Sequence, residues 1–300
     1  MNEALFKQLA QEPDYKILQR VPTTFAKRPS SDSKVFIATL IDTETMGLDA
    51  KSHEIIELGL LSFVFSNTDG ILEVIETYNQ LNDPGKPIPP EITKITKIRD
   101  EDVKGKAIDW TYVTKHLNQS HLVICHNSSF DRNFLELQTP QPLQTLIQNL
   151  PFACTIKDMD WKARGFESSK LDYLNFKLGY FYDGHRAIND CWATFNVLIQ
   201  EEGAFEELKA NVRKKETLLS AANAPFDKKD HLKARNYRWA DGTGQLPKGW
   251  YLCISNDKLH EEKQWLDSEI YGKPGVSDTI PQTLVTARTR YSFRAELLRE

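Results

Sequence analysis

The sequence predicts an α/β sandwich around a mixed β-sheet, followed by a small α+β module. An apolar run at 35–41 is typical of a central strand. Further strands follow before strands begin to alternate with helices, and this order favours an α/β architecture. A charged helix near 204–218 and a turn at 223–225 mark a boundary before the C-terminal module. With 300 residues, 40% of them hydrophobic, the chain can form a substantial core.

The elements of the α/β part follow from apolar runs and turn signals in chain order. Strands are predicted at 35–41, 54–65, 72–79, 122–125 and 152–155. Helices are predicted at 91–97, 107–118, from Ser128 or Ser129 to about 137, at 171–178 and at 187–200. A Pro- and Gly-rich segment at 82–90 is predicted to be a loop between the third strand and the first of these helices.

Three parts are predicted along the chain: an N-terminal arm at 1–33, a main domain at 34–210 and an accessory module at 222–300. Apolar residues of the arm, such as Phe6 and Leu9, could pack a short helix on the main domain. In the module we expect helices at 227–234 and around 259–266, and strands at 237–240, 250–254 and 283–293.

Composition excludes several classes of protein. No apolar run approaches the roughly 18–20 residues of a membrane-spanning helix, and the N-terminus has no basic-then-apolar signal pattern. We therefore expect a soluble, cytoplasmic protein with no membrane partner. The four cysteines are far apart, which argues against a zinc knuckle or a disulfide framework and favours small buried residues.

Charge is distributed unevenly along the chain. The net charge is −4, but residues 211–300 hold 16 Lys and Arg against 12 Asp and Glu. The remaining residues therefore carry a balance of −8. This acidity does not exclude nucleic acid as a partner, because bound divalent cations would reverse the local field around metal-binding carboxylates.

Two carboxylates stand where the predicted central strand ends. Side chains at i and i+2 of a strand face the same way, so Asp42 and Glu44 converge. The carboxyl end of such a strand is where ligands usually bind in open α/β sheets. Like charges persist together when a cation lies between them, and oxygen ligands suit Mg²⁺ or Mn²⁺. Taken alone, the pair is common in proteins and is better explained as two solvated acids at a strand end.

Two later segments add further acids and a histidine. Asp131 follows a short buried strand at the start of a helix, where it could simply complement the helix dipole. Asp190 lies in a helix just after His185, which by itself could be a surface turn residue. Together, four carboxylates and a histidine are the inventory for two-metal phosphodiester hydrolysis, with the histidine taking a proton from the attacking water.

The motifs resemble those of a known family. Asp-x-Glu at 42–44, His-Asn-x-x-Phe-Asp at 126–131 and His-x-Ala-x-x-Asp at 185–190 occur in the order found in the DEDDh 3′–5′ exonucleases. That family includes the proofreading epsilon subunit of bacterial DNA polymerase III. The resemblance covers about residues 34–200, and the segment at 90–96 is also similar to the family.

The resemblance implies a fold and a set of catalytic residues. The fold would be ribonuclease H-like, with a mixed five-stranded sheet flanked by helices. Two Mg²⁺ or Mn²⁺ ions would be held by Asp42, Glu44, Asp131 and Asp190, and His185 would be the general base.

The resemblance also implies residues that contact the 3′-terminal nucleotide. These are Thr43, Met46, Gly47 and Leu48, and we add Asn127 and Phe130 of the second motif as substrate-binding candidates. Met46 stands where the family often has Thr, so a backbone contact would survive there and a hydroxyl contact would not. Phe130 could stack on a base or belong to the core, and His126 with Asn127 could brace the site.

The arm and the module resemble a bacterial subgroup of epsilon-like exonucleases with an added C-terminal module, through residues 13–20 and 224–239. In the module, cations alternate with aromatic residues: Lys233, Arg235, Tyr237, Arg238, Trp239, Lys248, Trp250 and Tyr251. This pattern suits single-stranded nucleic acid. It also suits a small core with a solvated basic face.

The sequence thus predicts a metal-dependent 3′–5′ exonuclease that hydrolyses DNA to nucleoside 5′-monophosphates. Single-stranded or frayed 3′ ends are the expected partner, in DNA repair or in association with a polymerase. Three alternatives stay open: an RNA-directed exonuclease of the same superfamily, a ribonuclease H-type endonuclease and a non-catalytic nucleic-acid-binding protein.

Overall fold

The computed structural model describes residues 8–9, 11–243 and 246–295. It divides the chain into two compact units, Met1–Asn211 and Val212–Glu300. Phe6 of the predicted N-terminal helix lies outside the described residues. Residues 8–9 are helical, but Leu9 and Tyr15 are exposed and residues 11–18 form turns and irregular chain, so a helix extending to these residues is wrong. No helix among the described residues is both long enough and apolar enough to cross a bilayer.

Besides the helical residues 8–9, seven strands and eight helices are described up to residue 213. The strands are β1 (Gln19–Arg20), β2 (Phe36–Thr45), β3 (Ile55–Phe65), β4 (Ile71–Leu81), β5 (Leu122–Cys125), β6 (Phe152–Cys154) and β7 (Tyr180–Phe181). The helices are α1 (Pro90–Thr96), α2 (Asp100–Val103), α3 (Trp110–Leu117), α4 (Ser128–Gln138), α5 (Leu143–Asn149), α6 (Leu171–Lys177), α7 (Ala187–Gln200) and α8 (Ala204–Arg213).

The main sheet has five strands in the order β4-β3-β2-β5-β6. Strands β2, β3 and β4 pair antiparallel, whereas β5 pairs parallel with both β2 and β6. Helix α7 packs against β2, β3 and β4, and helix α4 packs against β2, β5 and β6. The predicted mixed five-stranded sheet flanked by helices is therefore confirmed, with the strand that carries Asp42 and Glu44 at its centre.

The core of this unit lies along β3 and the helices that cover it. Nearly every residue of β3 is buried, because neighbouring strands lie on both sides and α7 covers it. The ring of Phe63 contacts Phe195 of α7 and Phe205 of α8 edge-on, with centroids 5.3 and 5.6 Å apart. Burial of such aromatic rings is a large stabilising contribution, since each removes about 150–250 Å² from water.

The central strand is longer than the apolar run that predicted it. Strand β2 continues beyond Ile41 to Thr45, so both carboxylates lie within the strand itself. The pairing of β2 with β3 shifts register between Glu44 and Thr45. A bulge of this kind bends the strand and redirects the side chains beside it.

The second unit is built on a four-stranded antiparallel sheet in the order β11-β8-β10-β9. Its strands are β8 (Glu216–Ser220), β9 (Arg238–Ala240), β10 (Gly249–Ser255) and β11 (Gln282–Val285). Its helices are a 3₁₀ turn (Phe226–Lys228), α9 (Lys229–Ala234), α10 (Leu259–Trp265), a π-helical turn (Leu266–Tyr271) and a 3₁₀ turn (Phe293–Ala295).

Two sequence-based assignments near this unit are wrong. The helix predicted over 204–218 ends at Arg213, and 216–220 instead form β8 because they pair with β10 and β11. The strand predicted over 283–293 ends at Val285. Beyond it the chain turns, since the backbone N–H groups of Thr289 and Arg290 both donate to the carbonyl of Thr286.

Candidate active site

Three carboxylates meet at the carboxyl end of the central strand. Asp42 and Glu44 project from β2, and Asp190 comes from the first turn of α7. One carboxylate oxygen from each lies within 4.8 Å of the others, and all three side chains are partly buried. The structure thus brings together residues that are almost 150 positions apart in the chain.

Asp131 lies beside this group but is not part of the three-carboxylate cluster. It is buried in the first turn of α4, where its Oδ1 accepts hydrogen bonds from Thr43 N (2.9 Å) and Thr43 Oγ1 (2.8 Å). Thr43 is therefore directed at Asp131, and its hydroxyl is already used. The bond joins α4 to β2 between the two strand carboxylates.

Asp190 is oriented by hydrogen bonds from the turn that precedes its helix. Its Oδ2 accepts from Arg186 N at 3.1 Å and its Oδ1 from Tyr182 Oη at 3.2 Å. His185 lies in that turn with an exposed side chain and a φ of 62°, a left-handed backbone that non-glycine residues rarely adopt. Such strain is most often retained where surrounding contacts fix a functional residue.

A fifth carboxylate, Glu57, is completely buried next to the cluster. It faces Glu44 across the β2–β3 ladder and accepts hydrogen bonds from Arg186, Ala187 N and Asn79 Nδ2. Sequence reasoning missed it, because it stands alone in an apolar strand. The only signal is a single acid within a nearly continuous apolar run, where an unpaired charge would be costly.

The carboxylates strongly perturb one another. Burial, followed by repulsion from Asp190, raises the pKa of Asp42 well above its usual range and that of Glu44 to about 8. Burial also raises the pKa of Asp131 to about 7 and of Asp190 to about 6. Several buried acids that resist ionisation together are the expected environment of a cation site.

These residues fit a divalent metal ion. The donors are all carboxylate oxygens, which suit hard cations such as Mg²⁺ or Mn²⁺, and they converge on one point. Asp42, Glu44 and Asp190 would hold the ion, with Asp131 beside them. A bound cation would also offset the repulsion that raises their pKa values.

Three of the substrate-binding candidates, Met46, Gly47 and Leu48, lie in the loop after the first motif. The Met46 side chain is buried in a cluster with four apolar residues, Ile56, Ile88, Ile98 and Val103. It therefore belongs to the core and not to a surface that could contact the substrate. Leu48, by contrast, is 87% exposed.

Gly47 packs on the ring of His53. A Cβ at residue 47 would lie only 2.6 Å from that ring, so a larger residue there would require the His53 side chain to move. Gln138, at the end of α4, binds the same loop: its Oε1 accepts from Ile55 N, and its Nε2 donates to the carbonyls of Ala50 and His53. Sequence reasoning did not single out Gln138.

The second motif contributes packing as well as Asp131. Asn127 is exposed and accepts a hydrogen bond from Ser129 Oγ, whereas Phe130 is half-buried with its ring 4.9 Å from that of Phe134. His126 Nδ1 lies 2.8 Å from Thr155 Oγ1, and burial lowers the pKa of His126 to about 4. His126 is thus a neutral bracing residue.

Comparison with known proteins identifies the class. The family model described as exonuclease matches residues 39–198, which span all three motifs. The chain belongs to this exonuclease family, which confirms the predicted exonuclease class, and its mixed five-stranded sheet flanked by helices confirms the predicted ribonuclease H-like fold.

The similar proteins include proteins named as DNA polymerase III. The epsilon subunit of DNA polymerase III of Treponema pallidum is 28% identical over 173 residues, 54% of this chain and 75% of that protein. A PolC-type DNA polymerase III of Clostridium perfringens is 26% identical over 53% of this chain, which spans only 11% of that polymerase. Exonuclease X in complex with 5′-overhanging duplex DNA is a 25% identical solved structure with a TM-score of 0.43, covering 58% of this chain and 98% of that one.

Proposed function

We propose that the protein is a metal-dependent 3′–5′ exonuclease that hydrolyses DNA to nucleoside 5′-monophosphates. The observation that carries the proposal is the convergence of Asp42, Glu44 and Asp190 at the end of the central strand, with His185 in the turn before α7. The relatives named as DNA polymerase III components support DNA as the substrate.

The carboxylates would hold two Mg²⁺ or Mn²⁺ ions. When bound, divalent cations supply an activated water and offset the charge that develops on the phosphodiester. The chain's own contribution is to orient the donors. Thr43 holds Asp131, and the backbone of Arg186 with the hydroxyl of Tyr182 holds Asp190.

His185 is the general base in this proposal. Its ring is exposed, and it directly precedes the helix that carries Asp190. An imidazole nitrogen of His185 would take the proton from the attacking water. The water oxygen would form a bond to phosphorus while the bond between phosphorus and the 3′-oxygen of the penultimate nucleotide breaks. That 3′-oxygen would leave and take a proton from solvent.

The exposed surface beside the cluster would hold the last nucleotide of a single-stranded or frayed 3′ end. Leu48 and Asn127 are accessible there, and Phe130 is partly so. Gly47 would contribute its backbone. The polymerase-associated relatives also support association with a DNA polymerase, which co-purification would test. A cytoplasmic location stays a prediction.

The decisive experiment compares matched DNA and RNA oligomers with single-stranded, paired and mismatched 3′ ends in Mg²⁺ and Mn²⁺. We expect release of nucleoside 5′-monophosphates from the 3′ end, with DNA preferred over RNA. Asp42→Asn should abolish release, and the exposed control Glu91→Gln should retain it.

Each alternative has its own outcome in the same assay. Preference for RNA would identify an exoribonuclease, and cleavage of a closed circular strand would identify an endonuclease. Strand binding without metal-dependent release of mononucleotides would identify a non-catalytic binding protein. Full exonuclease activity in purified Asp42→Asn would contradict the proposed metal site.

A further inference from the structure

We infer that Glu57 and Arg186 are positioning residues for the general base His185, an inference that rests on the proposed function. Neither residue is one of the four acids or the histidine that define the three motifs. Glu57 lies in β3, behind the cluster, and Arg186 links His185 to helix α7. The pair connects the rigid sheet to the turn that carries the base.

Glu57 is held by donors from two parts of the fold, the start of α7 and strand β4. Arg186 contacts it through two nitrogens, with Nη2 2.7 Å from Oε1 and Nε 3.1 Å from Oε2. The backbone N–H of Ala187 donates to Oε2 at 3.1 Å, and Asn79 Nδ2 donates to Oε1 at 2.9 Å. A fully buried carboxylate with this many donors has a fixed position, because breaking one of its bonds leaves buried charge unsatisfied.

The contacts reach His185 through two consecutive residues. The Arg186 side chain and the Ala187 amide both bind Glu57, while the Arg186 amide binds Asp190. These bonds fix the chain immediately after His185. Since the His185 ring itself is exposed, its direction depends on the left-handed backbone that these bonds hold in place.

Close packing between β3 and α7 makes this arrangement possible. Gly59 stands two residues from Glu57 on the same face of the strand and pairs with Asp42. A Cβ at Gly59 would lie 2.4 Å from the carbonyl carbon of Ala187, so only glycine allows the helix start to approach the sheet. Because the start of α7 lies so close to β3, the Ala187 N–H can donate its hydrogen bond to Glu57.

The test is a double-mutant cycle on His185 and Arg186. Lysine keeps the positive charge of Arg186 but cannot reproduce the two-nitrogen fork. Arg186 is 41% exposed at its side chain, so Arg186→Lys should fold. We expect kcat to fall roughly tenfold to a hundredfold, since misplacement of a catalytic group by about 1 Å has effects of this size. KM, Mn²⁺ affinity by electron paramagnetic resonance and Tm should change little.

His185→Ala and the double variant complete the cycle. If Arg186 acts through His185, adding Arg186→Lys to His185→Ala should produce no further loss in kcat. Glu57→Gln, which keeps the shape of the side chain, should behave like Arg186→Lys. Arg164→Lys is the matched control, because Arg164 is likewise an arginine of the first unit held by carboxylates, Glu201 and Glu207, and its described hydrogen bonds and ion pairs involve no residue of the site.

Two results would overturn the inference. Losses that multiply in the double variant would show that Arg186 acts independently of His185. A loss of Mn²⁺ affinity equal to the loss in kcat would show that the pair serves the metal ligands instead. Either result leaves the exonuclease proposal intact, whereas full activity of His185→Ala would refute the base assignment itself.

Discussion

Replacing Glu44 with Gln should stabilise the metal-free protein at high pH while removing its activity. Burial and repulsion from Asp190 raise the pKa of Glu44 from its usual 4.5 to about 8. Between these values the native state keeps a proton that the unfolded chain has released. The free energy of unfolding of the wild type must therefore fall as the pH rises from about 4.5 to about 8. Gln carries no such proton, so the variant lacks this loss.

The size of the effect follows from the same shift. Each pKa unit corresponds to about 1.4 kcal/mol of unfolding free energy. The shift from 4.5 to about 8 could therefore lower the stability of the wild type by at most about 5 kcal/mol. Glu44 is partly exposed, and the neighbouring acids also retain protons, both of which reduce the penalty. We therefore expect a gain of about 2 kcal/mol for Glu44→Gln at pH 8.5.

Urea unfolding with EDTA at pH 5 and at pH 8.5 measures this gain. Most of it should disappear at pH 5, where native Glu44 is protonated. Excess Mg²⁺ should favour the wild type, because a ligand that binds only the native state stabilises it. Glu91→Gln should show no pH-dependent difference. The reasoning would be refuted by a Glu44→Gln variant that is equally or less stable than wild type at pH 8.5 in EDTA.

Three further predictions concern packing, the substrate loop and the second unit. Gly59→Ala should cost about 1–3 kcal/mol in urea unfolding, because the new Cβ meets the backbone of Ala187 at 2.4 Å. Gln138→Ala should raise KM for a single-stranded oligomer with little change in kcat, since it releases the loop at 50–55. Trp239, which is 47% exposed near Lys248 Nζ, should contribute to single-strand binding, so Trp239→Ala should weaken affinity by about 1 kcal/mol in anisotropy titrations.

Each of these has a contrasting outcome. Wild-type stability of Gly59→Ala would mean that the start of α7 can move away from β3 without penalty. A fall in kcat at unchanged KM would show that Gln138 does not serve the substrate loop. Dinucleotide hydrolysis should be unaffected by Trp239→Ala, and unchanged single-strand affinity would assign Trp239 to packing. A deletion of the second unit for comparison should begin at 214, directly after helix α8 ends, so that β8 is removed with the rest of that unit.

The sheet and the site differ in how far local patterns could predict them. The apolar run before Asp42 identified the central strand correctly, and the i, i+2 spacing placed Glu44 on the same side. The end of that strand was misplaced, because the pattern of apolar residues stops at Ile41 whereas the hydrogen bonds to β3 continue to Thr45.

Burial explains most of the remaining differences. Met46 resembles a substrate contact in sequence, but its side chain fills a pocket among four apolar residues from β3 and the region of 88–103. The sequence after Arg213 predicts a charged helix. In the structure, Thr217, Leu218 and Leu219 instead pair antiparallel with two strands that come later in the chain, β10 and β11. Local propensity is weaker than such pairing.

The sequence by itself determined the chemistry of this protein: the kinds of side chains, their order and the strand that presents two of them. Only the tertiary structure decided how the site is supported. Glu57 reaches Arg186 across 129 positions, and Gln138 reaches the loop at 50–55 across more than 80. Contacts between such distant segments depend on the packing of the whole domain. The periodicity of apolar residues predicts local secondary structure, but it does not specify which distant side chains come into contact.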